Sequence, residues 1–249
     1  MRINILGVGF DNVTMDEALA RGEELLCSEG AHYVVTPNPE IVETCRADAA
    51  ANAAVNGADL VLPDGIGIVY GAKILHQPLR GRVPGIEFGT GMIERCAKLG
   101  KSVYLLGAKQ EVVSATVEVL QGKYPKMIIA GYRDGYFSEE EFDAVVNQVS
   151  QEKPDIVFVG ITSPKKERLI ERFRDLGVTG IYVGVGGSFD VVSGNIPRAP
   201  MWMQKANLEW LFRMMQEPGR LAKRYVIGNV KFLSLLQKEK AKAKKCVKR

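Results

Sequence analysis

Six short, almost unbroken apolar runs lie at 32–36 (HYVVT), 60–62 (LVL), 103–107 (VYLLG), 127–130 (MIIA), 156–160 (IVFVG) and 181–186 (IYVGVG). Each hands over to a loop of Gly, Pro or polar residues and then to a helical pattern. Runs this continuous do not suit strands with one wet face; they suit a parallel sheet buried on both sides. Strands alternating with helices predict an α/β, Rossmann-like and mostly parallel sheet with helices on both faces. In such sheets ligands bind at the carboxyl edge of the strands, so the loops after these runs are where function is expected.

The loop after the second run, PDG at 63–65, delivers Asp64 to a helix expected from about Ile66. Spacing leaves two readings open: an N-cap of that helix, or a reactive carboxylate at the sheet edge. After the first run, Thr36 and Asn38 alternate with Pro37 and Pro39, which hold the backbone extended before a helix from about Glu40. Arg82 is the one cation of the Gly-rich stretch 81–91. Its forked guanidinium suits a phosphate or carboxylate, although a lone loop arginine is also an ordinary surface residue. Gly107 opens a glycine turn into a helix whose amides can meet a phosphate, without a full GxGxxG fingerprint. Tyr132 and Tyr136 lie in the loop after the fourth run, and Ser138 with Glu141 then has capping-box spacing, as Thr14 with Glu17 has earlier. Lys165 and Lys166 fall in the first turn of the next helix, where cations oppose the helix dipole and an anion is welcome. Gly184, Gly186 and Gly187 allow close backbone approach to a ligand, and Asp190 follows them.

Composition removes some chemistry. Four scattered cysteines without CxxC spacing and only two histidines make a zinc site improbable and fit reduced thiols in the cytosol. No acidic DxD pair stands at a strand end, so neither a metal nor another cofactor is expected. No apolar run reaches the roughly 20 residues of a spanning helix, and no secretory leader is recognised.

Charge divides the chain at about residue 198. Residues 198–249 hold 14 Lys+Arg against 3 Asp+Glu, whereas 1–197 hold 19 against 26, giving +11 on the tail and −7 on the body. The expected organisation is a Rossmann-like core at 1–197 and a basic helical appendage at 198–249, separable in folding from the sheet. Leu208, Leu211, Phe212 and Met215 mark a first tail helix ending at Pro218–Gly219, expected in part to close the core. A second, with Leu221, Val226, Ile227, Val230 and Leu233 among lysines and arginines, suits the interface of an anionic membrane better.

Taken together, TPNPEIV, LPDGIGIVYGAKIL, GRVPGIEF, VYLLGA, YP…GYF, SPKKE, GVGGSFD and RAPMWMQKANLEWLFRMMQEPGRLAKRY resemble the WecG/TagA/CpsF glycosyltransferase family, in order, from residue 3 to about 231. The resemblance implies an inverting, metal-independent transferase. It would move N-acetylmannosamine or a related sugar from a UDP donor to a polyprenyl-diphosphate-linked sugar, in teichoic acid, common antigen or capsule assembly. It implies a protein at the cytoplasmic membrane face, bound peripherally. Asp64 matches the family's candidate general base, and Thr36, Asn38 and Arg82 match pocket residues around the donor and the departing diphosphate. Gly107, Tyr136, Lys166, Gly184, Gly186 and Asp190 are the candidate donor contacts. Arg213, Arg220 and Arg224 are the candidates for the acceptor diphosphate. Lys166 stands where many members have Gln, which leaves the donor sugar open. A homo-oligomer is compatible with the sequence. Two rivals remain: a nucleotide-sensing regulator that binds nucleic acid through the tail, and an NAD-dependent oxidoreductase, which the missing GxGxxG disfavours.

Overall fold

The computed structural model describes residues 1–247, with side chains except at 220, 223–225 and 243–247. Strands β1 (Arg2–Ile5) and β2 (Val8–Asp11) pair antiparallel around Leu6 and Gly7, whose φ values of 54° and 94° fit a primed hairpin turn. The sequence shows only one short apolar run here, because a two-residue turn without Asn or Asp is easily read through. The hairpin braces the sheet edge: the Asp11 carboxylate accepts from the Val61 N–H at 2.9 Å and is paired with Arg2 and Arg21.

The expected sheet is present and entirely parallel. β3 (Ala31–Val35), β4 (Leu60–Val61), β5 (Ser102–Gly107), β6 (Ile128–Arg133), β7 (Ile156–Gly160) and β8 (Gly180–Gly184) are ordered β4-β3-β8-β7-β5-β6. Successive side chains point to opposite faces, so neighbours in sequence feed different cores. Tyr33, Val35, Val61, Leu106, Val157 and Tyr182 meet helices α2 (Pro39–Ala47), α3 (Ala49–Asn56), α4 (Ile66–Ile74), α7 (Phe142–Gln151) and α8 (Lys165–Asp175). On the other face Val34, Leu62, Leu105, Phe158 and Val183 meet α1 (Met15–Leu26), α5 (Gly85–Leu99), α6 (Gln110–Lys123) and α9 (Ser188–Val192). Both capping boxes form: Thr14 and Glu17 open α1, and Ser138 and Glu141 enclose a 3-10 turn at Glu139–Glu141 ahead of α7.

The tail holds α10 (Met201–Lys205), α11 (Glu209–Gln216) and α12 (Pro218–Val247). Here the structure adds a core role for the second tail helix. No residue of α11 is buried, whereas α12 buries Leu221, Phe232 and Leu236 and lays the last two across Gly71 of α4. A Cβ at Gly71 would meet both side chains at 3.2–3.3 Å, so the missing side chain is what lets the helices approach. Burial of Phe232 and Leu236 contributes about 1.5–3 kcal/mol each, so this basic helix shares the body's core. The periodicity of α12 hides this, because its opposite side is apolar as well: Val226, Ile227, Val230 and Leu233 are 46–63% exposed.

Candidate active site

The carboxyl edge of the sheet gathers most of the candidate residues. β4 is only two residues long, but single bonds extend its pairing: Leu62 N–H donates to Val35 O at 2.8 Å and Asp64 N–H to Pro37 O at 3.1 Å. Val83 N–H then closes on Pro63 O at 2.8 Å, which brings the 81–84 loop beside Asp64. Gly65, at φ +83°, N-caps α4 without any side-chain cap, so Asp64 does not cap the helix that follows it. Its carboxylate feels instead the nearby backbone N–H of Gly85, the first residue of α5, which favours the charged form.

Desolvation pushes the Asp64 carboxyl up to about 6 against an ordinary 3.8; Arg213, the Gly85 N–H and Arg82 draw it back, while Glu209 pushes it further up. A carboxylate poised there is ionised at neutral pH and still basic enough to accept a proton. Thr36 explains why residue 85 is glycine: its buried hydroxyl donates to Gly184 O at 3.3 Å, and a Cβ at Gly85 would lie 2.8 Å from Thr36 Oγ1. Asn38 turns the chain into α2, its Oδ1 accepting from Ile41 N–H at 3.1 Å.

Arg82 reaches the same pocket already engaged. Its Nη1 contacts Glu209 Oε2 at 2.7 Å and its Nη2 donates to Gln204 O at 3.1 Å, which ties the loop to α10 and α11. Arg198 lies 3.6 Å from Glu209 and 2.7 Å from Glu87 on α5. Arg213 is exposed on α11 and supplies the largest opposing charge felt by Asp64. The side chains of Arg220 and Arg224 lie outside the described residues.

The candidate donor contacts extend across the edge. From β4 to β5 are four strand spacings, about 19 Å, a length that suits an extended sugar–diphosphate–nucleoside better than a single sugar. Gly107, at φ 143°, is explained by packing: a Cβ there would lie 2.4 Å from Gly160 O on β7. Gly186 has φ 51° and open space around its Cβ position. Asp190 accepts from Asn195 Nδ2 at 3.1 Å and so closes the 190–196 turn. Tyr136 stands out from its loop, 72% exposed.

Neither lysine of the α8 first turn is a bare cation. Lys166 is 3% exposed, its stem passing beneath Gly184 and its Nζ 3.2 Å from Glu167 Oε1, which also accepts from Ser163 at 2.9 Å. Lys165 donates to backbone carbonyls of the 134–137 loop. Among the described residues no group of three or more His, Cys, Asp or Glu side chains is placed to hold a metal ion, and no helix is long and apolar enough to cross a membrane.

Residues 3–246 match the profile of the Glycosyl transferase WecG/TagA/CpsF family. The chain belongs to this family. An N-acetylglucosaminyldiphosphoundecaprenol N-acetyl-beta-D-mannosaminyltransferase from Bacillus spizizenii is 35% identical, the match covering 85% of this chain and 81% of that one. A protein of the same name from Bacillus subtilis strain 168 is also 35% identical over 84% and 80% of the two chains, and one from Staphylococcus aureus strain MW2 is 34% identical over 100% and 95%. Membership of a WecG/TagA/CpsF glycosyl transferase family sets aside the nucleic-acid regulator and the oxidoreductase.

In this WecG/TagA/CpsF member several residues of the site escape sequence reading. Gly85 acts through a backbone N–H, and only its place between Pro84 and a helical pattern hints at that. Glu209 is one of three acids in a tail with 14 cations, a signal in itself, since an isolated acid among so many cations invites a specific partner. Glu167, in the first turn of α8, is 1% exposed and balances Lys166.

Proposed function

We propose that this protein transfers N-acetylmannosamine, with inversion, from a UDP donor to a polyprenyl-diphosphate-linked N-acetylglucosamine, for a cell-surface polymer. The observation that carries the reading is Asp64: a half-buried carboxylate at the sheet edge, pushed up to about 6 by burial and drawn back by Arg213, the Gly85 N–H and Arg82. Inversion needs one base. The acceptor hydroxyl attacks the anomeric carbon as Asp64 takes its proton, and the bond from that carbon to the β-phosphate oxygen breaks with its electrons leaving on UDP. Arg82 and Arg213 stabilise that charge, with Thr36 and Asn38 shaping the pocket, and Arg82 exchanges Glu209 for the diphosphate as the donor enters. The donor lies along the edge past Gly184, Gly186 and Asp190 toward Gly107 and Tyr136, with Lys166 behind Gly184. The names of the relatives supply the sugar and the acceptor.

The tail brings the site to its lipid-linked substrate. α12 is docked through Phe232 and Leu236, so its opposite stripe of Val226, Ile227, Val230 and Leu233 faces outward, flanked by Lys231 and Lys238. Met201 and Trp202 on α10 are 64% and 65% exposed close to Gln204, the residue whose carbonyl meets Arg82. Apolar residues among cations suit the peripheral surface of an anionic leaflet at the cytoplasmic face, each cation contributing about 1 kcal/mol there. The experiment is a panel of UDP-sugars with a short-chain polyprenyl-diphospho-GlcNAc, read by mass spectrometry. A single added N-acetylhexosamine, formed from UDP-N-acetylmannosamine in preference to its epimers, supports the reading; no transfer from any UDP-sugar contradicts it.

A further inference from the structure

Lys165 is placed against elementary preference. It is the first residue of α8, where a cation opposes the helix dipole, and partial burial lowers its basicity. What offsets these costs is its reach into the neighbouring loop: Nζ donates to Gly135 O at 3.2 Å and to Phe137 O, and lies 3.9 Å from the centre of the Phe137 ring. One ammonium thus holds the carbonyls on both sides of Tyr136.

The rest of the loop is equally fixed. Tyr136 N–H donates to Asp134 Oδ1 at 2.7 Å and Gly135 N–H to Ala108 O at 2.9 Å, while Gly135 rests on Gly107 and Ile161. Phe137 is buried edge-on against Phe142, and the Arg133 guanidinium lies 5.0 Å from its ring centre. Every neighbour of Tyr136 is anchored while the ring itself is 72% exposed. A large exposed ring on an immobilised backbone loses little entropy when a planar ligand lies against it.

We propose that Lys165 is a positioning residue for donor binding: its ammonium clamps the 135 and 137 carbonyls so that the Tyr136 ring is held out over the β5 and β7 end of the site. The proposal rests on the reading of Tyr136 as a donor contact. Lys165 itself touches no reacting atom, so its loss acts on donor affinity and leaves the chemical step alone.

The test is a double-mutant cycle in the full chain, reading UDP affinity by calorimetry, KM and kcat for the UDP-sugar, and thermal melting. Tyr136→Ala is expected to weaken UDP binding about fivefold or more, the scale of a lost stacking contact. Lys165→Met keeps the stem over Phe137 and removes the donors; it is expected to weaken UDP binding severalfold and raise KM with kcat within about twofold of wild type. In the Tyr136→Ala background Lys165→Met should add nothing; with Tyr136 intact, Lys165→Arg, which can still donate to both carbonyls, should keep most of the wild-type affinity. Should Lys165→Met fail to fold, Lys165→Gln, which can donate to one carbonyl, carries the same cycle. Unchanged UDP affinity in a folded Lys165→Met, or an undiminished effect in the Tyr136→Ala background, overturns the clamp while leaving Tyr136 as a donor contact. Unchanged affinity in Tyr136→Ala overturns the donor reading of Tyr136, and the proposal with it.

Discussion

Asp64→Asn separates chemistry from stability at one position. Asn keeps the shape and an oxygen for the Gly85 N–H but cannot take a proton, so turnover should fall on the order of 10²–10⁴-fold with near-normal donor binding. The same change should stabilise the fold at neutral and alkaline pH. Burial raises the folded-state pKa from 3.8 to about 6, so the native state holds this proton more tightly than the unfolded chain. The stability that the proton confers is complete below about pH 4 and is lost as pH rises through about 6. A shift of roughly two units corresponds to about 3 kcal/mol at pH 8, an upper bound for a carboxylate with some solvent contact. For a chain of this size that is a melting temperature higher by roughly 4–12 °C in Asp64→Asn. The assay is thermal melting of both proteins from pH 4 to pH 8, with turnover of each at pH 8. The gap should open between about pH 4 and 6.5, and wild-type kcat/KM should rise through about pH 6 as the base ionises. A variant that melts no higher than wild type at pH 8 would show that Asp64 is not held ionised at a cost, and one that turns over within about threefold of wild type would show that it is not the base.

Other residues give shorter tests. Arg82→Lys keeps the charge and loses the fork, so Arg82→Lys and Arg82→Ala should both slow transfer and weaken UDP inhibition; unchanged values in both would remove Arg82 from the leaving-group site. Glu209→Gln frees Arg82 of its ionic partner and should tighten UDP binding severalfold in calorimetry; equal or weaker binding would mean that Glu209 mainly holds α11 in place. Val226→Asp with Val230→Asp should cut binding to phosphatidylglycerol vesicles roughly tenfold or more without lowering the melting temperature, since both side chains point away from the core. Chelator should leave transfer intact, and loss of activity with EDTA restored by magnesium or manganese would overturn the metal-independent reading.

The sheet was legible because burial on both faces forces continuous apolar runs, and the loops at its carboxyl edge, with the family resemblance, marked Asp64, Thr36, Asn38 and Arg82 as candidates. What escaped was whatever does not reside in a side chain or depends on a distant partner. Thr36 leaves room for nothing larger than glycine at 85, and the N–H of that glycine favours the charged form of Asp64. The cations at 165 and 166 invite an anion in sequence, but the carbonyls of Gly135 and Phe137 and the Glu167 carboxylate occupy them in three dimensions. In α12 two apolar faces share one helix, and periodicity alone does not say that Phe232 and Leu236 turn inward while Val226 and Val230 turn out. Charge separated the tail from the body, whereas packing joins them at Gly71.

A single inverting displacement assisted by Asp64 fixes the anomeric configuration of the transferred sugar, which product analysis reads directly. The full-length protein would be incubated with UDP-N-acetylmannosamine and a short-chain polyprenyl-diphospho-GlcNAc, and the disaccharide examined by NMR alongside quantified UDP release. The expected outcome is a β-linked N-acetylmannosaminyl product, one UDP per linkage formed, and at least about a hundredfold less product from Asp64→Asn. An α-linked product, or β-linked product at the wild-type rate from Asp64→Asn, would contradict it.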